Sequence, residues 1–207
     1  MTGIRAVIFD VDGVLVTHQP HQGSSWSAHL KRDLDLDPSH LQEAFFLPHW
    51  GDIVSGRASI EERLTPVLAE IAPHLSAENL LTYWFEADGH IDHALLDRLR
   101  RWREETDAGF HLATNQEHRR ASYLWQTMGL NAHFDAIHYS ANIGHAKPEE
   151  GFYQTIENRL GLAGSQILLF DDQSKNIEAA KTRGWRAFIW EGAETLEKVG
   201  DLRRSDG

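Results

Sequence analysis

Short apolar segments recur along the chain, separated by longer amphipathic ones. Residues 4–9 are rich in branched side chains and are followed by two acidic residues and Gly13. Such a run predicts a strand that is buried on both faces and ends in a turn. Four similar runs predict further strands, at residues 110–114, 136–140, 166–170 and 186–190.

The segments between these runs carry apolar residues at helical spacing. Strands that alternate with helices of this length predict βαβ units with right-handed crossovers. We therefore expect an α/β fold with a Rossmann-like parallel sheet and helices on both of its faces. Two predicted apolar helix faces illustrate the spacing: Leu95, Leu96, Leu99 and Trp102, and then Ala121, Leu124, Trp125 and Met128.

One long interval, residues 17–89, interrupts this alternation. It contains no convincing strand, and Ser59 with Glu62 forms the pattern of a capping box before an apolar helical repeat. A second helical pattern follows at residues 80–85. We predict an α/β core made of residues 1–16 and 90–207, with residues 17–89 inserted as a helical subdomain after the first strand.

Composition restricts the function. The 207 residues are 41% hydrophobic and carry a formal net charge of −11, which argues against general binding to nucleic acids or to anionic membranes. The absence of cysteine excludes thiolate chemistry and disulfides. The N-terminal apolar run is too short and too acidic for a signal peptide or a membrane span. We expect a cytoplasmic protein, either a monomer or a homodimer.

Polar side chains follow the predicted strands at the edge where parallel sheets bind ligands. Asp10 and Asp12 come directly after the first strand. Residues two apart in an extended chain project to the same side, so the two carboxylates can share one pocket. Gly13 then allows a sharp turn.

Three further features occupy equivalent positions. Thr114 and Asn115 end the second apolar run and offer a hydroxyl and an amide to a phosphate group. Lys147 precedes Pro148, which we place in the first turn of the next helix. An acidic pair, Asp171 and Asp172, ends the fourth apolar run.

Each feature alone has a structural explanation, such as turn formation or helix capping. All four together, each at the end of a strand, point to one site. Converging carboxylates repel one another unless a hard cation neutralises them, and oxygen ligands suit Mg²⁺. A lysine and a hydroxyl beside that cation would bind the oxygens of a phosphoryl group, as phosphoryl transfer requires.

The sequence resembles the haloacid dehalogenase (HAD) superfamily of aspartate-nucleophile hydrolases over its whole length. FDVDGVL, ATN, the spaced S…G…KP segment and FDDQSKNIEAAKTRGW look like the four motifs of that family in order. The resemblance implies a HAD-like fold, with the helical insertion in the place of a type-1 cap. It also implies catalysis through a covalent aspartyl-phosphate.

The resemblance assigns roles to individual residues. Asp10 corresponds to the nucleophile, and Asp12 to the general acid that later acts as a base. Thr114 and Lys147 correspond to the groups that orient the phosphate, with Asn115 beside them. The implied Mg²⁺ ligands are Asp10, the main-chain carbonyl of Asp12, and Asp171 or Asp172, a choice that stays open with Asp172 favoured.

An acid at position 12 separates phosphatases from true dehalogenases in this family, because halide displacement needs neither leaving-group protonation nor a metal. We expect a Mg²⁺-dependent phosphatase of small phosphorylated metabolites, sugar phosphates above all. The later motifs look similar to glucose-1-phosphate phosphatases and to the N-terminal phosphatase domains of epoxide hydrolases. The alternatives are a phosphomutase of the same fold, a 2-haloacid dehalogenase and a catalytically silent binding protein.

The cap of such an enzyme supplies specificity. Trp50 and Arg57 are the candidate substrate contacts in the segment HWGDIVSGRASIEERL. Packing inside the cap explains Trp50 equally well, and a solvated position at a helix start explains Arg57. For His49 in the same segment, the structural explanation is favoured.

Overall fold

Five strands form one parallel sheet in the computed structural model, which describes residues 3–16 and 26–202. Their order across the sheet is β3-β2-β1-β4-β5, so β1 lies at the centre. Phe9 of β1 pairs in register with Leu112 of β2 and Phe170 of β4. The strands are β1 (Ala6–Phe9), β2 (Gly109–Thr114), β3 (Ala136–Tyr139), β4 (Ile167–Asp171) and β5 (Arg186–Ile189).

Both faces of the central strand are buried, as its continuous apolar run predicted. Phe9 belongs to the apolar core on one face and stacks on Phe170 with 5.1 Å between ring centroids. Ile8 belongs to the core on the other face, with Leu169 and Ile156. Side chains alternate between the faces of a strand, so one short segment contributes to two cores.

Helices cover both faces of this sheet and follow the strands along the chain. The first begins after Asp92, whose carboxylate accepts a hydrogen bond from the Leu95 amide and caps it. The helices of this part are α6 (His93–Glu104), α7 (His118–Ser122), α8 (Ser140–Ile143), α9 (Glu150–Leu160), α10 (Ser174–Thr182) and α11 (Thr195–Leu202). The predicted α/β class with a Rossmann-like parallel sheet is confirmed.

Residues 26–87, named here the helical region, contain helices and turns but no strand. Ser59 accepts a hydrogen bond from the Glu62 amide at the start of α4, as a capping residue does. The helices are α1 (Leu30–Leu34), α2 (Pro38–Leu41), α3 (Leu47–Val54), α4 (Ile60–Ile71) and α5 (Ala77–Ala87). Residues 17–25, where the predicted insertion begins, lie outside the described residues, and the proposed domain division remains a prediction.

Predicted and observed elements differ at their ends. Ser140 was predicted to end a strand, but it begins α8. Gln166 lies in a 3₁₀ turn before β4, although its carbonyl already accepts a hydrogen bond from the Arg5 amide. The apolar face at residues 121–128 is helical, but α7 passes into a π-helical turn at Tyr123–Thr127. No helix in the described residues is long and apolar enough to cross a membrane.

Candidate active site

A polar cavity of about 420 Å³ opens at the carboxyl ends of β1, β2 and β4. Parallel strands bring the residues that follow them to the same edge of the sheet. Six of the residues predicted for the site line this cavity together with four others. The lining residues in the described part of the chain are Asp10, Asp12, Gly13, Thr114, Asn115, Lys147, Asp172, Gln173, Lys175 and Asn176.

Asp10 lies at the base of the cavity, directly after β1. Its amide donates a hydrogen bond to the Phe170 carbonyl, which continues the pairing of β1 with β4 by one residue. The Val11 amide donates to its Oδ1 at 2.7 Å, and Lys147 Nζ lies 2.9 Å from its Oδ2. Both carboxylate oxygens are therefore held in fixed directions.

Lys147 joins three strand ends through one ammonium group. Its Nζ donates to the Ala113 carbonyl at 2.8 Å and to Asp171 Oδ2 at 2.7 Å, besides its contact with Asp10. Burial by itself lowers the pKa of a lysine, but the carboxylates of Asp10 and Asp171 outweigh it and leave the pKa of Lys147 raised. The side chain is thus a buried cation between two acids.

The same surroundings act in the opposite direction on Asp10. Desolvation raises the pKa of its carboxyl group to about 7, against the lowering effect of Lys147 and with a further raising effect from Asp171. A positive charge placed beside this group would favour its ionised form. Asp10 therefore lies in a site that is short of positive charge.

An acidic trio completes this part of the cavity. Asp10, Asp171 and Asp172 each offer a carboxylate oxygen, and these oxygens lie within 4.8 Å of one another. Three hard oxygen donors in one place fit a hard divalent cation such as Mg²⁺. Gly13 leaves the room for this arrangement, since a Cβ there would lie 2.5 Å from Asp172 Oδ2 and the residue has φ +77°.

The two neighbouring acids of the trio are engaged differently. Asp171 is completely buried, and Lys147, Asn176 and the Gln173 amide occupy its oxygens. Asp172 lines the cavity and accepts one hydrogen bond, from the Gln173 side chain at 3.0 Å. The geometry therefore gives Asp172 the freer carboxylate.

Asp12 reaches solvent through the mouth of the cavity. Gln116 Nε2 donates a hydrogen bond to its Oδ2 at 2.5 Å. Desolvation by the surrounding protein raises the pKa of Asp12, while Arg120 acts to lower it. A carboxyl group with a raised pKa next to a second carboxylate is the arrangement that proton transfer uses.

The side chain of Asn115, at the end of β2, binds the main chain of Lys147. Its Nδ2 donates to the Lys147 carbonyl at 2.9 Å, and its Oδ1 accepts from the Lys147 amide at 2.7 Å. Pro148 precedes α9 and does not belong to its first turn, because that helix begins at Glu150. The reciprocal pair of hydrogen bonds from Asn115 holds the main chain of Lys147.

Trp50 and Arg57 are not among the residues that line the cavity. Trp50 packs in an aromatic cluster with Phe46 and Trp84, with ring centroids 5.5 and 5.7 Å apart. Arg57 is exposed and pairs with Asp52 at 2.9 Å. His49 contacts Phe45 with 6.2 Å between ring centroids. No described residue of the helical region is among those that line the cavity.

The sequence patterns did not single out Gln116, Asn176 or Lys175. Asn176 donates to both oxygens of Asp171, at 2.9 and 3.1 Å. A polar residue on the buried face of the predicted helix after Asp172 is the signal that could have found it. Lys175 is exposed at the rim of the cavity, and no comparable signal marks it.

The chain is similar to known proteins over most of its length. A family model described as haloacid dehalogenase-like hydrolase matches residues 4–184. The phosphorylated carbohydrates phosphatase of Thermotoga maritima is 24% identical over 87% of this chain and 82% of that protein. The fructose-1-phosphate phosphatase of Escherichia coli is 24% identical over 87% of this chain and 93% of that protein.

Solved structures include a HAD family enzyme from Bacteroides thetaiotaomicron in complex with magnesium and inorganic phosphate. It superposes with a TM-score of 0.76 at 17% identity, covering 93% of this chain and 96% of that one. At this identity the likeness shows a shared fold.

Proposed function

The chain belongs to the haloacid dehalogenase-like hydrolases, and on this premise we propose that it is a Mg²⁺-dependent phosphatase of small phosphorylated metabolites. Sugar phosphates are the proposed substrate class, because the two curated relatives act on phosphorylated carbohydrates by name. The reaction passes through an aspartyl-phosphate on Asp10.

One observation carries the proposal. Asp10 and Asp171 are buried on either side of the Lys147 ammonium group, and Asp12 lies two residues after Asp10 at the cavity mouth. Burying a network of charges costs desolvation free energy, and a protein in which apolar residues replace such charges is often equally stable or more stable. The retention of this network at the open edge of the sheet supports a catalytic use.

Asp10 and Asp172 would hold Mg²⁺ together with the main-chain carbonyl of Asp12, and Asp171 would position Lys147 and Asn176 beside them. When bound, the cation supplies positive charge for the phosphoryl oxygens and for the Asp10 carboxylate. The acidic trio and the raised pKa of Asp10 support this assignment.

In the proposed reaction a carboxylate oxygen of Asp10 attacks phosphorus, and the bond between phosphorus and the ester oxygen breaks. The proton of Asp12 passes to that oxygen, so the alcohol leaves neutral. A water molecule then attacks phosphorus of the aspartyl-phosphate and gives its proton to Asp12. Inorganic phosphate leaves, and Asp10 is again free.

Thr114 would bind a non-bridging phosphoryl oxygen, Lys147 would orient the phosphoryl group through its charge while it holds Asp10, and Asn115 would lie beside the phosphate. Thr114 is buried at the end of β2 and lines the cavity, which supports this role. The helical insertion, predicted at residues 17–89, would act as the cap. Substrate binding by Trp50 and Arg57 remains a prediction, and their packing and pairing favour structural roles.

The test measures phosphate release from p-nitrophenyl phosphate and from a panel of sugar phosphates, with Mg²⁺ and with chelator. We expect turnover that needs the metal and that falls at least about 10³-fold in Asp10→Asn, since the nucleophile is lost. Asp97→Asn, an exposed acid on α6, is the matched control and should retain full activity.

Three outcomes would contradict the proposal. Turnover in chelator would show that the reaction does not need the metal. Full activity of Asp10→Asn would show that Asp10 is not the nucleophile. An isomerised sugar phosphate without phosphate release would identify a phosphomutase instead. Halide release from 2-haloacids is not expected, because Asp12 provides a proton that this reaction does not use.

A further inference from the structure

Gln116 is a buried polar residue in contact with Asp12 for which the proposed mechanism has no use. It follows Asn115, yet it is only 5% exposed and is absent from the described residues that line the cavity. Its one side-chain contact of note is the 2.5 Å hydrogen bond from Nε2 to Asp12 Oδ2. It can therefore act on the reaction only through Asp12.

The main chain of Gln116 is fixed on the opposite side. Its carbonyl accepts hydrogen bonds from the Ser140 hydroxyl at 3.1 Å and from the Ala141 amide at 3.2 Å. The next residue, Glu117, caps α7 by accepting from the amides of Arg119 and Arg120. The side-chain amide thus extends from a backbone that is held by α8 and leads directly into α7.

The chemistry of the pair determines where a proton can reside on Asp12. An ionised carboxylate only accepts hydrogen bonds, so the amide must present its N–H group to it. With Oδ2 occupied by that N–H, a proton on Asp12 is directed to Oδ1. No hydrogen bond from a described residue occupies Oδ1.

We infer that Gln116 is a positioning residue for the acid–base step, which holds Asp12 so that Oδ1 carries the transferred proton. The inference rests on the proposed function and deepens it. It applies to substrates whose alcohol needs a proton to leave, as a sugar hydroxyl does. An aryl leaving group such as p-nitrophenolate departs without one and should not depend on Gln116.

The experiment compares kcat/KM for a sugar phosphate and for p-nitrophenyl phosphate in wild type and in Gln116→Leu. This parameter covers the steps up to formation of the aspartyl-phosphate, so the later hydrolysis does not enter it. We expect the sugar phosphate to lose at least about tenfold more than the aryl phosphate, as loss of an oriented general acid predicts. Gln154→Leu, the same change on the exposed side of α9, should alter neither.

An equal loss on both substrates would overturn the inference and leave Gln116 a purely structural residue. Gln116→Asn guards against failure to fold, because it keeps a polar amide but is one methylene too short to reach Asp12. It should show the same selective loss, and a folded Gln116→Asn with no selectivity also overturns the inference. If wild type hydrolyses neither ester, the proposed function has failed instead.

Discussion

The sheet and the helical region differ in what they bury. The helical region contains one buried polar residue among its described residues, Ser55, whose hydroxyl donates to the Gly51 carbonyl. The sheet and its flanking helices bury many, and several are ionisable. These are Asp10, His111, Glu117, Arg120, His138, Lys147 and Asp171.

This difference separates two ways of stabilising a structure. The helical region depends on apolar packing, which is nearly independent of pH and of single charges. The sheet depends in addition on pairing and protonation, because a buried charge without a partner is strongly destabilising. Substitutions and pH should therefore affect the two regions unequally.

Removal of the central cation should have the largest effect. Lys147→Met keeps the length of the side chain but leaves Asp10 and Asp171 buried without their partner. We expect a loss of about 3–5 kcal/mol in the free energy of unfolding, together with loss of turnover. Urea unfolding in chelator measures the first quantity.

Lys175→Met is the matched control for stability, since this lysine lines the same cavity but is exposed. Its free energy of unfolding should change by less than about 0.5 kcal/mol. If both variants lost the same stability, the buried charges would not distinguish the sheet from the helical region.

Acid should act on the sheet through two buried histidines. His111 and His138 lie on neighbouring strands with 5.6 Å between ring centroids, and Nδ1 of the first and Nε2 of the second have no hydrogen-bond partner among the described residues. Burial lowers the pKa of both, and together with the charges of His111 and Arg159 it brings the pKa of His138 to about 4. Each side chain is therefore neutral in the folded protein at neutral pH.

The unfolded chain binds these protons more readily than the folded one. The folded protein keeps its full stability above about pH 6.5, the ordinary pKa of histidine, where both histidines are neutral in the folded and the unfolded chain. It loses stability as the pH falls towards 4, because the unfolded chain then gains protons that the folded chain does not. For His138 this amounts to about 3 kcal/mol at the acid limit. Unfolding experiments at pH 7.5 and pH 4.5 should show a smaller loss in His138→Leu than in wild type.

His93→Leu provides the comparison, because His93 is exposed at the start of α6. It should lose as much stability in acid as wild type does. If His138→Leu lost as much stability in acid as wild type does, the buried histidine pair would not be the cause of the acid sensitivity.

The predictable part of the molecule follows the same division. The five strands could be predicted because each is an apolar run. The position of Asp10, Thr114 and Asp172 at one edge of the sheet could be predicted because these residues end or follow such runs. The contact of Gln116 with Asp12 could not, since it joins residues 104 apart in the chain. The geometry of this hydrogen bond depends on how separate helices and strands are placed relative to one another, and no local sequence pattern encodes that placement.

The cap residues illustrate the opposite case. Trp50 and Arg57 were selected for their chemical type, and a tryptophan serves an aromatic core as well as it serves a ligand. In the structure Trp50 packs on Phe46 and Trp84 within the helical region. Residue type alone does not distinguish these uses where no strand end fixes the direction of the side chain.

A close approach of main chains joins the two regions at Gly56. A Cβ at this position would lie 2.1 Å from the Ala141 carbonyl oxygen of α8, and the residue has φ +73°. The left-handed conformation alone should cost Gly56→Ala about 1–2 kcal/mol, and the contact adds to this. Gly51→Ala, in α3 with open space around its Cβ, should stabilise the protein by up to about 1 kcal/mol. Thermal unfolding measures both variants: a loss in Gly56→Ala clearly greater than about 2 kcal/mol would support docking of the helical region on α8, and a loss of about 1–2 kcal/mol would be explained by the left-handed conformation alone.

An ion-pair bridge should make the smallest contribution to the same docking. Arg119 of α7 contacts Glu61 of α4 at 2.9 Å and Glu78 of α5 at 2.8 Å, so one guanidinium group joins the sheet side to two helices of the helical region. These side chains are partly exposed, and Arg119→Met should therefore lose only about 0.5–1 kcal/mol in the free energy of unfolding. The difference in the free energy of unfolding from wild type should shrink in ~1 M salt, where the Debye length is about 3 Å. Arg63→Met, an exposed arginine of α4, should show neither effect. A loss comparable to that of Lys147→Met would mean that charge pairing stabilises the contact between the regions as strongly as it stabilises the site, and the contrast between buried and exposed charge would fail.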